Sequence, residues 1–167
     1  MIRKGKDSVK LKIENEKKFL VKALPRSYLE YPSKEITQWY ISIDPPIRVR
    51  VENFDTYYLT IKIKQKPGVN REYEQEIHRT FANTLLRVRK FNKIRKTRHL
   101  IGILELDVFL AQLGGLVLLE FEKKSKDDAF EMPTGIMTEE VTGDPRFENH
   151  NLAKLDAIPE EWRCKIV

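Results

Sequence analysis

The stretch Glu14-Asn15-Glu16-Lys17-Lys18-Phe19-Leu20-Val21 decides how the rest of this chain is read. Glu14, Glu16 and Lys18 recur at every second position. Side chains of an extended strand alternate between faces, so these three share one face and Phe19 and Val21 lie on the other. An ordinary half-buried strand carries an occasional charge on its wet side. Here charge fills that side position after position.

The pattern repeats outward from this stretch. Residues 9–22, 35–43, 46–53, 56–65 and 70–78 carry β-branched and aromatic residues in period-two alternation, as do about 93–100, 103–110 and 116–123. Asp44-Pro45-Pro46, Asn53-Phe54-Asp55, Pro67-Gly68-Val69-Asn70, Gly102 and Gly114-Gly115 punctuate them. Connections this short imply antiparallel hairpins. One face is ionic on six of these strands: Arg48 and Arg50, then Lys62 and Lys64, then Glu72, Glu74 and Glu76, then Lys96 and Arg98, then Glu105 and Asp107, then Glu120 and Glu122. Residues 80–90 read as a helix. The tail, about 125–158, reads as a helical segment. Ser125-Lys126-Asp127-Asp128 resembles a capping box, Asp144-Pro145 offers an N-cap with proline at the first helical position, and 149–156 suits another short helix. The expectation is one domain over 1–167.

The chain has 167 residues, 41% hydrophobic and 34% charged, with 31 Lys+Arg against 25 Asp+Glu and a net charge of +6. The apolar fraction is too high for a disordered chain. No apolar run approaches the ~18 residues of a membrane span. One cysteine, Cys164, excludes an internal disulfide framework and a cysteine zinc site. The first six residues lack the apolar stretch of a signal peptide, so a cytoplasmic protein is expected.

Two architectures accommodate ionic faces on seven of eight strands. In an open sheet with one face in water, opposite charges pair across strands. In a closed barrel the ionic face turns inward, closure removes the edges, and the apolar face is covered from outside by helices. An interior of acids and bases is costly unless bound ions compensate it. Clustered Arg and Lys suit phosphate oxygens. Clustered carboxylates suit a hard cation such as Mg²⁺ or Mn²⁺. A polyphosphate carrying a divalent ion needs both. No Walker loop and no nucleophile elbow is present.

The strands also carry a family resemblance. Glu14-x-Glu16-x-Lys18 followed by Phe19-Leu20-Val21 resembles the signature of the CYTH superfamily, the triphosphate tunnel metalloenzymes. Arg48-Val49-Arg50, Tyr58-Leu59-Thr60-Ile61-Lys62, Arg71-Glu72-Tyr73-Glu74, Lys96-Thr97-Arg98, Glu105-Leu106-Asp107-Val108-Phe109 and Glu120-Phe121-Glu122 are similar to its later motifs and follow in its order. Glu140-Val141-Thr142-Gly143-Asp144-Pro145-Arg146-Phe147 and Asn151-Leu152-Ala153 resemble its tail. Lys17, where arginine is common, and Lys64, an added base, depart from it. The arrangement most resembles short single-domain bacterial members.

The resemblance implies a mainly β fold: a closed eight-stranded antiparallel barrel enclosing a triphosphate tunnel, with helices packed outside. It implies Mg²⁺- or Mn²⁺-dependent hydrolysis of inorganic triphosphate to diphosphate and phosphate. Adenylate cyclisation, thiamine or other organic triphosphatase action, and polyphosphate binding without turnover are the alternatives. Lys18, Arg48, Arg50, Lys62, Lys96 and Arg98 are the expected substrate ligands. Glu14, Glu16, Glu120 and Glu122, with Glu72, Glu74 and Asp107, are the expected metal ligands. Lys18, Glu14 and Glu16 are the expected catalytic group. The partner is a triphosphate-bearing small molecule, with no membrane, no expected nucleic acid, and a homodimer left open. Lys10 and Lys12 are expected in solvent. His78, His99 and His150 are expected to be structural or at the surface, with His99 turned away from the tunnel. Trp39 and Tyr40 are expected in packing. The basic run Arg87, Arg89, Lys90, Lys93, Arg95 is expected as a solvated helix face.

Overall fold

The expected first strand is the seam of the molecule. It is β1, Lys10–Leu24, in a computed structural model that describes residues 10–88, 91–125 and 128–167. Seven further strands build the barrel: β2 (Ser33–Ile43), β3 (Pro46–Glu52), β4 (Thr56–Lys66), β5 (Val69–Ile77), β6 (Ile94–Ile101), β7 (Leu104–Phe109) and β8 (Val117–Glu122). The order is β1-β5-β4-β3-β2-β6-β7-β8, and β8 pairs again with β1. The eight strands thus close on themselves, every barrel pairing is antiparallel, and each sits within a few residues of its expected place. Val9, Arg89, Lys90, Lys126 and Asp127, which entered the sequence reading, lie outside the described residues.

Two short strands were not anticipated. β9, Met137–Glu140, runs antiparallel to Phe19–Ala23 of β1, and β10, Lys165–Ile166, runs parallel to Ala23–Leu24. β1 changes partners along its length. Lys10–Asn15 face β5 and Glu16–Leu20 face β8. β9 then covers the edge that β5 has left. In the gap between β5 and β9, Glu16 N–H donates to the Gly68 carbonyl (2.9 Å) and Lys18 N–H donates to Thr142 Oγ1 (3.0 Å). Gly68 has φ +72°, and a Cβ there would stand 2.9 Å from both Glu16 O and Thr142 Cγ2. Gly143 has φ +76°, and a Cβ there would strike Pro67 Cβ at 2.7 Å. Only glycine permits both the left-handed backbone and the approach. The β4–β5 turn and the tail therefore meet on the backbone of the Glu-x-Glu-x-Lys segment.

The tail corrects the sequence reading. The expected helical segment 125–158 contains β9, a 3-10 turn at Pro145–Phe147, the single-turn α2 (Asn149–Leu152) and irregular chain. Pro133 and Gly135 interrupt any helix before β9. The Asp128 carboxylate does accept from Lys124 and Ser125 N–H (2.7 and 2.9 Å), but residues 128–130 are not helical. Asp144 caps as expected, accepting from Arg146 N–H at 2.9 Å. The helix expected at 80–90 is α1, Arg79–Leu86, capped by His78 Nδ1 accepting from Thr80 N–H. It leans on β2, β3 and β4.

Two apolar cores result. Outside the barrel, Phe19, Val21, Leu104, Leu106, Val117, Leu119 and Phe121 are covered by Tyr28, Phe130, Met132 and Ile136. This is the expected outward face, though its cover is a short 3-10 helix at Arg26–Glu30 and irregular chain rather than α-helix. Inside, Leu20, Tyr40, Ile94, Phe109 and Leu118 pack against Val141, Phe147, Leu152, Ala153, Ile158 and Trp162 of the tail. These strand positions share the parity of Lys18, Lys96, Asp107 and Glu120. The barrel interior is thus charged toward one end and floored with apolar side chains at the other.

Candidate active site

Above that floor lies a cavity of about 200 Å³. Lys18, Arg48, Arg50, Lys62, Lys96 and Arg98 all line it, as do Glu14, Glu16, Glu72, Glu74, Glu120 and Glu122. Closure alone brings them together, because they come from six different strands. Asp107 is the exception. It is fully buried in the wall, where it takes Arg98 Nε and Nη2 at 2.6 Å each and also Lys96 Nζ. Its place is behind the cations, as the carboxylate that aims them.

The lining is a chain of ion pairs. Near the floor, Lys18 Nζ stands between Glu16 (3.2 Å) and Glu120 (3.3 Å). Arg98 also reaches Glu120 (2.9 Å) and pairs with Glu105. Across the lumen, Lys62 bridges Glu14 (2.6 Å) and Glu72 (3.1 Å), and Arg48 lies 3.6 Å from Glu72. Arg50 holds Glu74 at 2.8 Å. Toward the open end, Lys34 pairs with Glu52 (3.1 Å) and Lys12 with Glu122 (2.8 Å).

These neighbours set the charges. Burial opposes the charge of Lys18, yet Glu16, Glu120 and Glu148 outweigh it and hold its pKa well above the ordinary value. Burial likewise opposes Arg98, which Asp107, Glu120 and Glu105 hold charged. Burial raises the Glu120 carboxyl, but Lys18, Lys96, Arg98 and Lys62 bring it far below the usual carboxylate range. Arg50 goes the other way: burial and the neighbouring charges of Arg48 and Arg98 lower it, against Glu74 and Glu52. Lys96 is lowered too, by burial and by Arg98. The wall therefore holds two cations whose charge burial and their cationic neighbours disfavour.

Two features mark it as a place for ligands rather than a self-sufficient network. Arg48 Nε and Arg50 Nε are buried without a hydrogen-bond partner, although Arg50 Nε lies 3.4 Å from Glu52. A buried donor left unmade costs ~1–3 kcal/mol. Like charges stand directly opposite across strand pairs: Glu16 faces Glu122, Glu105 faces Glu120, and Lys34 faces Arg98. Such pairs are unfavourable on an ordinary sheet. An oxyanion answers the orphaned guanidinium donors, and a cation answers the facing glutamates. The donor set there is all carboxylate oxygen, the chemistry of a hard divalent ion. Among the described residues, however, no three His, Cys, Asp or Glu side chains converge closely enough to hold a metal. Glu16, Glu120 and Glu122 are instead engaged by Lys18, Arg98 and Lys12, which a metal must displace.

Several lining residues escaped the sequence reading. Lys34, Ile36, Gln38 and Tyr40 share the inward parity of β2, but only Lys34 is charged, so no ionic run announced them. Gln38 accepts from Arg48 Nη1 (3.3 Å) and donates to Tyr40 Oη (3.4 Å). Tyr40 thus lines the lumen as well as packing. Glu52 extends the parity of Arg48 and Arg50 and was legible on that ground. Glu148, Asn149 and His150 enter from the tail, where strand parity gives no signal. His150 correspondingly lines the cavity, against expectation, with its ring edge-on to Tyr40. Lys12 belongs to the lining rather than to solvent alone, whereas Lys64 and Glu76 are exposed outside it. His99 is buried against Tyr28, away from the lumen as expected.

A closed antiparallel barrel with this lining defines a tunnel protein for a polyanion. No family model matches the chain. An inorganic triphosphatase of Acetivibrio thermocellus is 38% identical over 153 residues, 84% of this chain and 93% of that protein. An inorganic triphosphatase of Nitrosomonas europaea is 34% identical over 149 residues, 84% of this chain and 96% of that protein. The crystal structure of the inorganic triphosphatase NE1496 matches with a TM-score of 0.59 at 33% identity, over 87% of this chain and 96% of that one. The chain belongs to the CYTH superfamily, among its short triphosphatases. No helix among the described residues is long and apolar enough to cross a membrane.

Proposed function

We propose that this protein hydrolyses inorganic triphosphate to diphosphate and phosphate in the charged half of its barrel, with Mg²⁺ or Mn²⁺. The observation that carries the reading is the pair of buried, unpartnered guanidinium donors of Arg48 and Arg50 in a lumen also lined by Lys18, Lys62, Lys96 and Arg98. The relatives named above support the substrate. Phosphoryl transfer asks for placement and charge stabilisation more than for covalent chemistry. Cations on facing strands hold linked phosphates in line and draw charge from the leaving group. Asp107 fixes Lys96 and Arg98 for that task, and Gln38 orients Arg48. Lys18, held charged by its glutamates, meets the phosphate chain beside Glu16 and Glu120. Glu14, Glu16, Glu120 and Glu122 would hold the ion, with Glu72 and Glu74 beside them. A bound divalent ion neutralises phosphate oxygens and makes a bound water a better nucleophile.

The test is release of phosphate from tripolyphosphate with Mg²⁺ or Mn²⁺, repeated with excess chelator and with cyclic AMP measured on ATP. Phosphate release that the chelator abolishes, with no cyclic AMP, is expected. Full turnover in chelator overturns the metal assignment, and no turnover with either ion overturns the reaction.

A further inference from the structure

A second cavity, of about 250 Å³, adjoins the lumen at the floor end. Pro46, Lys62, Glu148 and His150 line both spaces, so the partition between them is one side chain thick. We propose that this cavity seats orthophosphate, the smaller product of the reaction proposed above, and lets it leave without returning through the open end of the tunnel. The inference rests on that reaction.

The chemistry of the product motivates it. Water adds to a terminal phosphorus, the P–O–P bond breaks, and diphosphate departs with the bridging oxygen. One proton of the water remains on orthophosphate and the other goes to solvent. Orthophosphate therefore presents acceptor oxygens together with a P–OH donor, which a bound triphosphate chain lacks. A seat for it needs cations and also an acceptor. Most of the tunnel's carboxylates are paired with Lys and Arg, although Glu72 Oε2 is buried without a hydrogen bond, and a carboxylate repels an anion. The partition adds acceptors that carry no charge. Asn149 Oδ1 is buried on the tunnel side with no donor. The His150 ring makes no hydrogen bond among the described residues. Burial, with Lys154, Lys18 and Lys64 nearby, lowers its pKa against Glu148 and so favours the neutral ring. A neutral imidazole has one acceptor nitrogen.

The far side of the partition supplies the cation. Lys64 lies two residues beyond Lys62 on the same face of β4 and lines only the second cavity. It has no ion-pair partner among the described residues. Lys62 is committed to Glu14 and Glu72, so Lys64 is the cation available there. Asn70 adds an amide group, while the Asn151 amide is engaged with Pro145 O and Lys154 Nζ. Asp44 and Glu148 also line this cavity, and their charge keeps the seat weak, as a release path requires. An orthophosphate freed near the apolar floor would otherwise have to pass a diphosphate still gripped by the cations nearer the opening.

The experiment follows diphosphate formation from tripolyphosphate while orthophosphate is added, in the wild type and in Lys64→Ala and Lys64→Glu. Lys64 is exposed, so both variants keep the fold. Mixed inhibition by orthophosphate is expected in the wild type. Its inhibition constant should rise about tenfold in Lys64→Glu and less in Lys64→Ala, as for loss of one charge-assisted hydrogen bond. The KM for triphosphate should stay within about twofold. Strictly competitive inhibition, or an inhibition constant unchanged in Lys64→Glu, overturns the inference. Broadening of the orthophosphate ³¹P signal by protein without substrate gives a second readout, independent of turnover. Broadening that Lys64→Glu removes supports the seat even if the reaction assignment fails, and equal broadening in both proteins refutes it.

Discussion

The two halves of the barrel interior are built from the same strands and the same parity, and they have opposite contents. Lys18 and Leu20 are neighbours on one face of β1, as are Lys96 and Ile94 on β6, and Glu120 and Leu118 on β8. The first of each pair lines the charged lumen and the second packs into the floor. Period-two alternation settles which residues point inward. It does not settle what they meet. The floor exists because Phe147, Leu152 and Trp162 of the tail enter that end and offer apolar surface. Among the described residues the other end receives no such apolar segment, and the tail sends only Glu148, Asn149 and His150 into the lumen lining.

Mutations at the border and on either side of it test this division. Asp107 stands at the border, one residue pair from Phe109. Asp107→Ala leaves Lys96 and Arg98 without their shared carboxylate, and breaking a buried ion pair costs about 3–5 kcal/mol. Urea unfolding should register that loss, and a cost within error of zero would make Asp107 part of the solvated lining instead. On the floor side, Phe109→Ala should cost about 3 kcal/mol through lost burial and a residual cavity, with the KM for triphosphate unchanged in the folded fraction. A raised KM would mean that the floor shapes the substrate site.

On the lumen side the two measures should separate. Arg50 carries a charge that its surroundings disfavour, so Arg50→Ala should leave the melting temperature unchanged or higher. Its kcat/KM for triphosphate should fall about 100-fold, the usual scale for removing one preorganised charge ligand. Destabilisation with activity intact would reverse the roles of the two halves. The smallest effect is a slope. The Glu120 carboxyl is held far below its ordinary value of 4.5, so its contribution to stability is full above that value and is lost as pH falls toward the folded one. Below about pH 4.5 the unfolded chain takes the proton first, and stability should drop with acidification. Glu120→Gln should flatten that part of the pH–stability curve, and an identical slope in both proteins would remove Glu120 from the network.

The fold was legible because all eight strands announce themselves by alternation and seven of them, all but β2, also by their charges. Most of the lumen followed from parity once the barrel was closed. The missing residues share physical reasons. Gln38 and Tyr40 occupy inward positions on β2 but carry no charge, so they resemble packing. Asp107 obeys the parity of Glu105 yet ends in the wall, because Lys96 and Arg98 close over it and only three-dimensional burial distinguishes the two. Glu148, Asn149 and His150 belong to a tail whose entry into the barrel is a long-range event with no local period. β9 was unreadable for a related reason. Met137–Glu140 has little strand pattern of its own and becomes a strand only because β1 offers a vacant edge beyond the end of β5.

The seam at β1 has a consequence for how the protein is made. Glu16 and Lys18 are synthesised well before their strand partners Glu122 and Glu120, and before Thr142, which holds the Lys18 backbone. The segment must wait, unpaired along that stretch, until more than a hundred further residues have been synthesised. Hairpins β2–β3 and β4–β5 can form meanwhile from local contacts, so ring closure is expected to be the slow step of folding. The charges of Glu14, Glu16 and Lys18 then serve the nascent chain as well as the enzyme. An early strand with an ionic face pairs less readily with a neighbouring chain while it waits.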